Sequence, residues 1–211
     1  MFAFLVSACL AYLIGSFPSG YLAGRCHGID LRTVGSGNIG ATNAMRALGK
    51  RWGYAVFAAD AIKGALAVLS GFAIANLPRF QGLEPVHVAV IAALFAIIGH
   101  SFPVWLGFNG GKGIATSAGI MLALFPFPVF LSGLLVWVAL FFFTRYVSVA
   151  SLGAAVTLPA VAFAMAAIGR CDPMLAVISA IMSMLAIWRH KDNIKRLLSG
   201  TEKRFERKAR K

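Results

Sequence analysis

Charged residues are scarce in this sequence: they make up 13% of 211 residues, with 20 basic and 7 acidic side chains. A soluble domain usually carries about 25% charged residues, so this chain cannot coat a water-soluble globule. Cysteine is also rare, and the three present (Cys9, Cys26 and Cys171) share no short spacing, which argues against a disulfide framework or a zinc site. Because hydrophobic residues reach 59%, intrinsic disorder is excluded as well. We therefore expect a membrane-embedded chain.

Long uncharged runs predict the membrane-spanning helices, since a span needs about 20 mostly apolar residues. Residues 1–24 carry no charge and lack the basic start of a signal peptide, so we expect a retained first helix. Four further runs have suitable length and composition: 52–76, 86–108, 146–169 and 174–188. The run 114–144 is too long for one span, and Pro126 and Pro128 in its middle are expected to break it.

Basic residues indicate how the chain crosses the membrane, because Lys and Arg concentrate in cytoplasmic loops and tails. The loop 25–51 holds five of them and the segment from Arg189 onward holds ten. Both lie on the same side only if 114–144 splits into two helices. We therefore predict an all-α, polytopic membrane protein with seven transmembrane helices, its N-terminus outside and its C-terminus cytoplasmic. Residues 1–188 would form a single transmembrane domain, and 189–211 a basic cytoplasmic segment.

The first polar cluster lies in the loop after the first helix and ends at Arg46. Its glycines and short hydrogen-bonding side chains are Gly35, Ser36, Gly37, Asn38, Gly40, Thr42 and Asn43. The glycines match G-x-G-x-x-G, but that dinucleotide fingerprint requires a preceding strand, and here membrane helices flank it. Glycine turns direct backbone N–H groups toward an anion, and an arginine fork suits phosphate. We expect an anion site, with a simple connecting turn as the alternative.

The second cluster is Gly110-Gly111-Lys112-Gly113, at the start of a predicted helix. It narrowly fails to match a Walker A loop, because the spacing from Gly107 is one residue short and Gly113 replaces Ser or Thr. A lysine framed by glycines at a helix start predicts a phosphate cradle. The alternative is a positive-inside anchor, which would need no glycines. His100, in an apolar run before a proline, is interpreted as a helix-packing residue.

The third cluster follows the last predicted helix, where His190 and Asn193 share one helical face. Ser148 and Ser151 also share a face and follow a basic loop, although bonding to helix carbonyls is the alternative for them. All three clusters are predicted on the cytoplasmic side. This asymmetry favours an enzyme that joins a phosphorylated soluble substrate to a lipid. A transporter or channel for anionic solutes is the alternative, but its binding groups are expected near the midplane.

Two charges, Asp60 and Lys63, fall inside the predicted second helix. A lone charge near the bilayer centre costs about 2.5–3.5 kcal/mol on insertion scales. We therefore expect the two side chains to pair with each other, face the helix bundle and have a structural role.

Four ordered motifs resemble the bacterial acyl-phosphate:glycerol-3-phosphate acyltransferase family of the PlsY type. They occupy residues 15–22, 35–46, 99–113 and 189–202, and the resemblance covers essentially the whole chain. It implies a seven-helix enzyme of the bacterial inner membrane. That enzyme would transfer a fatty acyl group from long-chain acyl phosphate to the 1-hydroxyl of glycerol 3-phosphate, the first membrane step of phospholipid synthesis. The acyl phosphate would come from a peripheral partner acyltransferase of the PlsX type. Metal, cofactor and nucleic acid are not expected.

The resemblance also implies roles for individual residues. The residues expected to be catalytic are Ser36, Arg46, His190 and Asn193. The residues expected to bind substrate are Gly35, Gly37, Asn38, Thr42, Gly110, Gly111, Lys112, Gly113 and Ser151, with Ser148 as the alternative to Ser151. Glu202 would support the fold. The separate acyltransferases with an H-x4-D signature use a different mechanism, and no histidine here has an aspartate five residues later.

Overall fold

The computed structural model describes residues 1–205, which form helices and contain no strand. Two one-turn 3₁₀ helices (Pro78–Phe80 and Val104–Leu106) accompany the α-helices. In chain order the α-helices are α1 (Phe2–Ser16), α2 (Ser19–Arg25), α3 (Ala41–Leu48), α4 (Lys50–Ala75), α5 (Pro85–Ser101), α6 (Ile114–Leu124), α7 (Phe127–Thr144), α8 (Val147–Ala167), α9 (Pro173–Arg189) and α10 (Lys191–Leu198). The chain divides into two compact units: unit 1 is Met1–Phe125, and unit 2 begins at Pro126.

The expected membrane-embedded helical architecture is confirmed. Within residues 1–205, five stretches are long and apolar enough to span a membrane: Phe2–Arg25, Lys50–Ala75, Pro85–Leu106, Phe127–Thr144 and Val147–Ala167. Helices α9 and α10, bent by 55° relative to each other, make a sixth if they count as one span. At about 1.5 Å per residue, the 11-residue α6 is only about 16 Å long, shorter than the hydrocarbon layer. The count of seven spans therefore stays a prediction.

The long run 114–144 splits where the prolines predicted it. Helix α6 ends at Leu124, Pro126 is the N-cap of α7, and Pro128 lies in the first turn of that helix. Proline is tolerated at this place because first-turn N–H groups have no acceptor within the helix. A similar break separates α1 from α2 at Phe17 and Pro18. The proline positions thus set both helix boundaries.

In unit 1, α1 packs on α4 and α5, and α4 also packs on α3 and α6. Small residues allow the close approach of α1 and α5. A methyl group on Gly15 would overlap the backbone carbonyl of Ala96, and one on Gly99 would overlap the carbonyl of Tyr12. Membrane helices associate through such backbone contact, since lipid provides little hydrophobic driving force.

In unit 2, α8 packs between α7 and α9. Residues after α10 return to the junction of α7 and α8. There the Phe205 N–H donates to the Arg145 carbonyl at 3.0 Å, and Arg204 Nε donates to the Thr144 carbonyl at 3.3 Å. The Phe205 ring also meets Phe141 edge-on, at a centroid distance of 5.8 Å. Of the basic segment predicted at 189–211, residues 206–211 lie outside the described residues.

We predict that Gly15→Leu destabilises the protein by about 1–3 kcal/mol, because the added side chain would push α1 away from α5. Ala58→Leu is the matched control: it introduces the same side chain at an exposed position of α4. Thermal unfolding of the two purified variants in detergent measures the difference. Equal midpoints for both variants would contradict the close α1–α5 contact.

Candidate active site

A buried asparagine shapes the first polar loop. Asn43, at the start of α3, is only 1% exposed. Its Oδ1 accepts the N–H of Ser36 at 3.0 Å, and its Nδ2 donates to the carbonyls of Leu31 and Val34, each at 3.0 Å. We expected Asn43 to be one of the ligand donors, but its amide is bonded to the loop instead. Asn43 therefore positions Ser36.

The glycines of this loop allow its tight course. Gly35 has a φ of +64°, and a methyl group there would overlap Oδ1 of Asn43. Gly37 also has positive φ, and Asn38 Oδ1 accepts the Gly40 N–H at 2.8 Å. Ser36 lies between the two glycines and is exposed. The loop thus exposes Ser36 on a backbone that the Asn43 side chain holds in place.

Two arginines of this region differ in their surroundings. Arg32 is paired with Asp30, where the closest contact joins Nη2 and Oδ2 at 2.6 Å, and hydrogen bonding from Arg32 holds the pKa of Asp30 at about 2. Arg46 lies on α3 four residues after Thr42, so both side chains share one helical face. Arg46 is exposed and Thr42 is half-buried. Arg46 and Thr42 thus lie on one face of α3, and the phosphate-binding role of Arg46 stays a prediction.

The glycine loop before α6 differs in one respect from the expected cradle. The Gly110 N–H donates to the Ser101 carbonyl, and the Gly111 N–H donates to the His100 carbonyl, both at 3.1 Å. These two amides therefore hold the loop to the end of α5. The half-buried Lys112 and the first-turn N–H groups of α6 are the remaining groups with anion-binding chemistry.

The expected partners Asp60 and Lys63 form an ion pair, with Lys63 Nζ 2.7 Å from Asp60 Oδ1. Both side chains are buried in unit 1. Ser19 Oγ donates to the same carboxylate oxygen at 2.6 Å, and Lys63 Nζ also donates to the Phe17 carbonyl at 2.8 Å. The pair thus joins α4 to the break between α1 and α2.

In unit 2, three side chains converge on the carboxylate of Glu202. Asn193 Nδ2 and Ser148 Oγ donate to Oε1 at 2.6 and 2.8 Å, and Arg196 Nε donates to Oε2 at 2.7 Å. Burial opposes ionisation of Glu202, but these hydrogen bonds and the charge of Arg196 outweigh it and hold its pKa below the ordinary value. Glu202 therefore connects α10 to the start of α8.

Of the two candidate serines, Ser148 shares a hydrogen-bond partner with Asn193 and Ser151 does not, so the expectation of Ser151 in the site stays a prediction with Ser148 as its alternative. Ser148 shares Oε1 of Glu202 with Asn193, whereas the Ser151 hydroxyl accepts a hydrogen bond from Trp137 Nε1 at 3.3 Å. The two serines lie on one helical face, as predicted, but three residues move Ser151 about one turn along α8. Sequence spacing alone cannot distinguish positions one turn apart.

His190 lies at the bend between α9 and α10 and is 4% exposed. Its Nδ1 lies 2.7 Å from the Ala186 carbonyl. Because a carbonyl only accepts, Nδ1 carries the proton and Nε2 holds the lone pair of the neutral ring. Among residues 1–205, no group of three or more His, Cys, Asp or Glu could hold a metal ion.

The apolar helices are long enough to span a membrane, which indicates an integral membrane protein. Its glycine loop with a lysine and its buried histidine are groups suited to phosphate chemistry. The sequence model of the family "Glycerol-3-phosphate acyltransferase" matches residues 5–200. A glycerol-3-phosphate acyltransferase of Synechococcus sp. (strain CC9902) is 45% identical over 207 residues, covering 98% of this chain and 97% of the relative.

Two solved structures are also similar. Both are crystal structures of PlsY (YgiH), an integral membrane glycerol 3-phosphate acyltransferase. The glycerol 3-phosphate form has a TM-score of 0.83 at 38% identity and covers 96% of both chains. The lysophosphatidic acid form has a TM-score of 0.80 at 37% identity and covers 96% of this chain and 95% of the other. The chain belongs to the glycerol-3-phosphate acyltransferase family and is an acyltransferase, which decides against the transporter alternative.

The lowered pKa of Glu202 predicts an acid-dependent contribution to stability. Because its pKa is lower folded than unfolded, its contribution is complete above the unfolded value, about 4.3 for a glutamate, and is lost as pH falls through the folded value. Glu202→Gln should therefore lower the unfolding midpoint at pH 7, and the difference from wild type should shrink as pH falls below about 4. Glu84→Gln, at an exposed carboxylate, is the control. A difference that does not depend on pH would contradict this.

Proposed function

We propose that the protein transfers a fatty acyl group from a long-chain acyl phosphate to the 1-hydroxyl of glycerol 3-phosphate. The products are 1-acyl-glycerol 3-phosphate (lysophosphatidic acid) and inorganic phosphate. The observation that carries the proposal is the match, over nearly the whole of both chains, to an acyltransferase structure in its glycerol 3-phosphate form. The lysophosphatidic acid form of that protein supports the same reaction from the product side.

Lys112 and the start of α6 are the proposed binding groups for the phosphate of glycerol 3-phosphate. A half-buried ammonium and the N-terminal end of a helix both favour a doubly charged phosphate group. Gly113, with φ of +82°, begins the helix in a conformation that a side chain would disfavour. The role of Gly110 and Gly111 is then to hold this segment against the end of α5.

Ser36 and Arg46 are the proposed contacts of the acyl phosphate. An acyl phosphate brings further negative charge beside a second phosphate, and an arginine fork offsets that charge with directed hydrogen bonds. The fixed backbone around Ser36 supports this role, because transition-state stabilisation depends on donors that are already in place. Asn38 and Thr42 belong to the same loop and helix and are proposed to contribute to this surface.

The proposed chemistry is direct attack by the glycerol hydroxyl. The carbonyl already carries phosphate, a good leaving group, so a covalent acyl-enzyme on Ser36 or a cysteine is unnecessary. The roles of His190 as general base and Asn193 as an orienting group stay predictions. The tautomer imposed by Ala186 supports a base at Nε2 of His190. A substrate phosphate is the alternative proton acceptor.

Mixing the purified protein with glycerol 3-phosphate and a long-chain acyl phosphate tests the reaction. We expect equal release of inorganic phosphate and lysophosphatidic acid, with double-reciprocal plots that intersect. Lys112→Met should lower kcat/KM at least about 100-fold, because it removes the charge that binds phosphate. Lys195→Met, at an exposed lysine of α10, is the matched control and should keep wild-type kinetics.

Different results would contradict the reaction, the direct attack and the role of Lys112. Absence of lysophosphatidic acid would refute the proposed function. Parallel double-reciprocal plots, or an acylated Ser36 found by mass spectrometry, would refute direct attack and leave the overall reaction intact, because ping-pong kinetics are the signature of a covalent intermediate. Wild-type kinetics in Lys112→Met would return Lys112 to a simple membrane anchor.

We further propose that the protein lies in a bacterial inner membrane with seven spans, its N-terminus outside and its C-terminus cytoplasmic. Seventeen basic residues then face the cytoplasm, and Arg79 and Arg170 face outward, which follows the positive-inside rule. A peripheral, acyl-phosphate-forming acyltransferase is the proposed source of the donor. The acyl phosphate is amphiphilic, so its delivery at the membrane surface suits this arrangement.

Thiol labelling of intact cells tests this topology. Cys26 is exposed, whereas Cys171 is buried and would react poorly, so the outward reporter has to be introduced elsewhere. Gln81→Cys, in the exposed loop before α5, serves this purpose in a background without the three native cysteines. An impermeant reagent should label Gln81→Cys in intact cells. In a second variant, where Cys26 is the one cysteine kept, the same reagent should label Cys26 only after the membrane is opened. Labelling of Cys26 in intact cells would overturn the orientation.

A further inference from the structure

The position of the glycine loop depends on the last turn of α5. Two consecutive loop amides, those of Gly110 and Gly111, donate to the carbonyls of Ser101 and His100 at 3.1 Å. Lys112 follows directly, and Gly113 begins α6. Any change in the end of α5 therefore moves the backbone that carries Lys112.

The side chain of His100 also contacts this loop, at Gly111. The side chain of His100 is 5% exposed. Its ring lies next to Gly111, where a methyl group on that glycine would overlap Nε2 and Cε1 of the imidazole. Gly110 has different neighbours. A methyl group on Gly110 would overlap the His100 carbonyl and Cδ of Pro103, which are both present whatever side chain stands at position 100.

The opposite edge of the ring is held within the buried polar cluster of unit 1. His100 Nδ1 lies 3.1 Å from Thr116 Oγ1, in the first turn of α6, and 3.7 Å from Asp60 Oδ1. Asp60 is in turn fixed by Lys63 and Ser19. The ring therefore lies between a charged cluster anchored on α4 and the backbone of Gly111. A histidine that only fills space between helices would not need both contacts.

We propose that His100 is a positioning residue for substrate binding. The Nε2 edge of its ring contacts Gly111 and thereby fixes the position of the backbone next to Lys112. That backbone position determines where the Lys112 ammonium meets the phosphate of glycerol 3-phosphate. His100 itself does not touch the substrate. The inference rests on the proposed function of this loop, and it assigns a positioning role to a residue that the sequence alone predicted only to pack between helices.

A double-mutant experiment separates this role from general packing. His100→Asn keeps a polar group near the position of Nδ1 but removes the atoms beneath Gly111. We expect it to raise the KM for glycerol 3-phosphate at least 5-fold and to change the KM for acyl phosphate less than 2-fold, since small displacements of a binding group are costly. His87→Asn, on the same helix, is the matched control. A purely structural defect would lower the active fraction, and hence kcat, without this selective change in KM.

The two glycines provide a matched pair for the same test. Gly111→Ala and Gly110→Ala should each raise the KM for glycerol 3-phosphate at least 10-fold. Combined with His100→Asn, Gly111→Ala should cause little further loss, because the ring that it would strike is gone. Gly110→Ala should remain additive with His100→Asn, because the backbone and Pro103 remain in place. Equal coupling of both glycines to His100, or an unchanged KM in His100→Asn, would overturn the inference.

Equilibrium dialysis with glycerol 3-phosphate provides a readout independent of turnover, and His100→Ala is the second variant if His100→Asn does not fold. Wild type should bind, and either His100 variant should bind at least 5-fold more weakly. If the wild-type protein does not bind glycerol 3-phosphate, the proposed function and the inference both fail. If wild type binds and the His100 variants bind equally well, only the inference fails.

Discussion

Asp60 is a carboxylate buried among apolar helices, and unit 1 is organised around the polar groups that contact it. Lys63 pairs with it, Ser19 donates to it and His100 lies beside it. These partners come from α2, α4 and α5, so loss of the carboxylate would leave several polar groups buried without compensation, which is far costlier than losing one surface charge. The ion pair thereby ties the proline break of the first span to the end of α5. Its position explains why two charges are retained within a membrane helix.

The two loops of unit 1 that are proposed to bind phosphate are supported in the same way. In each loop, a buried polar side chain contacts the backbone next to the hydroxyl or ammonium group that is proposed to bind substrate. Asn43 holds the backbone around Ser36, and His100 holds the backbone that leads to Lys112. Glycine is required where these supports approach the chain. A binding group fixed before the substrate arrives loses less entropy on binding and needs less reorganisation during reaction.

In unit 2 the corresponding support is Glu202. It receives hydrogen bonds from Ser148, Asn193 and Arg196, so the segment after α10 is held to the first turn of α8 by a carboxylate that remains ionised. Asn193, which we expect to take part in catalysis, is oriented by this interaction. The carboxylate and the bend at His190 together define the conformation of the motif at 189–202.

Composition, apolar runs and prolines were sufficient to predict an all-helical membrane chain and the split at Pro126, because these signals act over one or two helical turns. The ordered motifs were sufficient to predict the family. The partners of the polar residues were not predictable: Ser148 and Glu202 lie 54 residues apart, and spacing did not distinguish Ser148 from Ser151. Likewise, the glycine amides are bonded to α5, and His100 supports the loop. These contacts arise only when helices pack, since a hydrogen bond depends on atomic positions that the local sequence pattern does not specify.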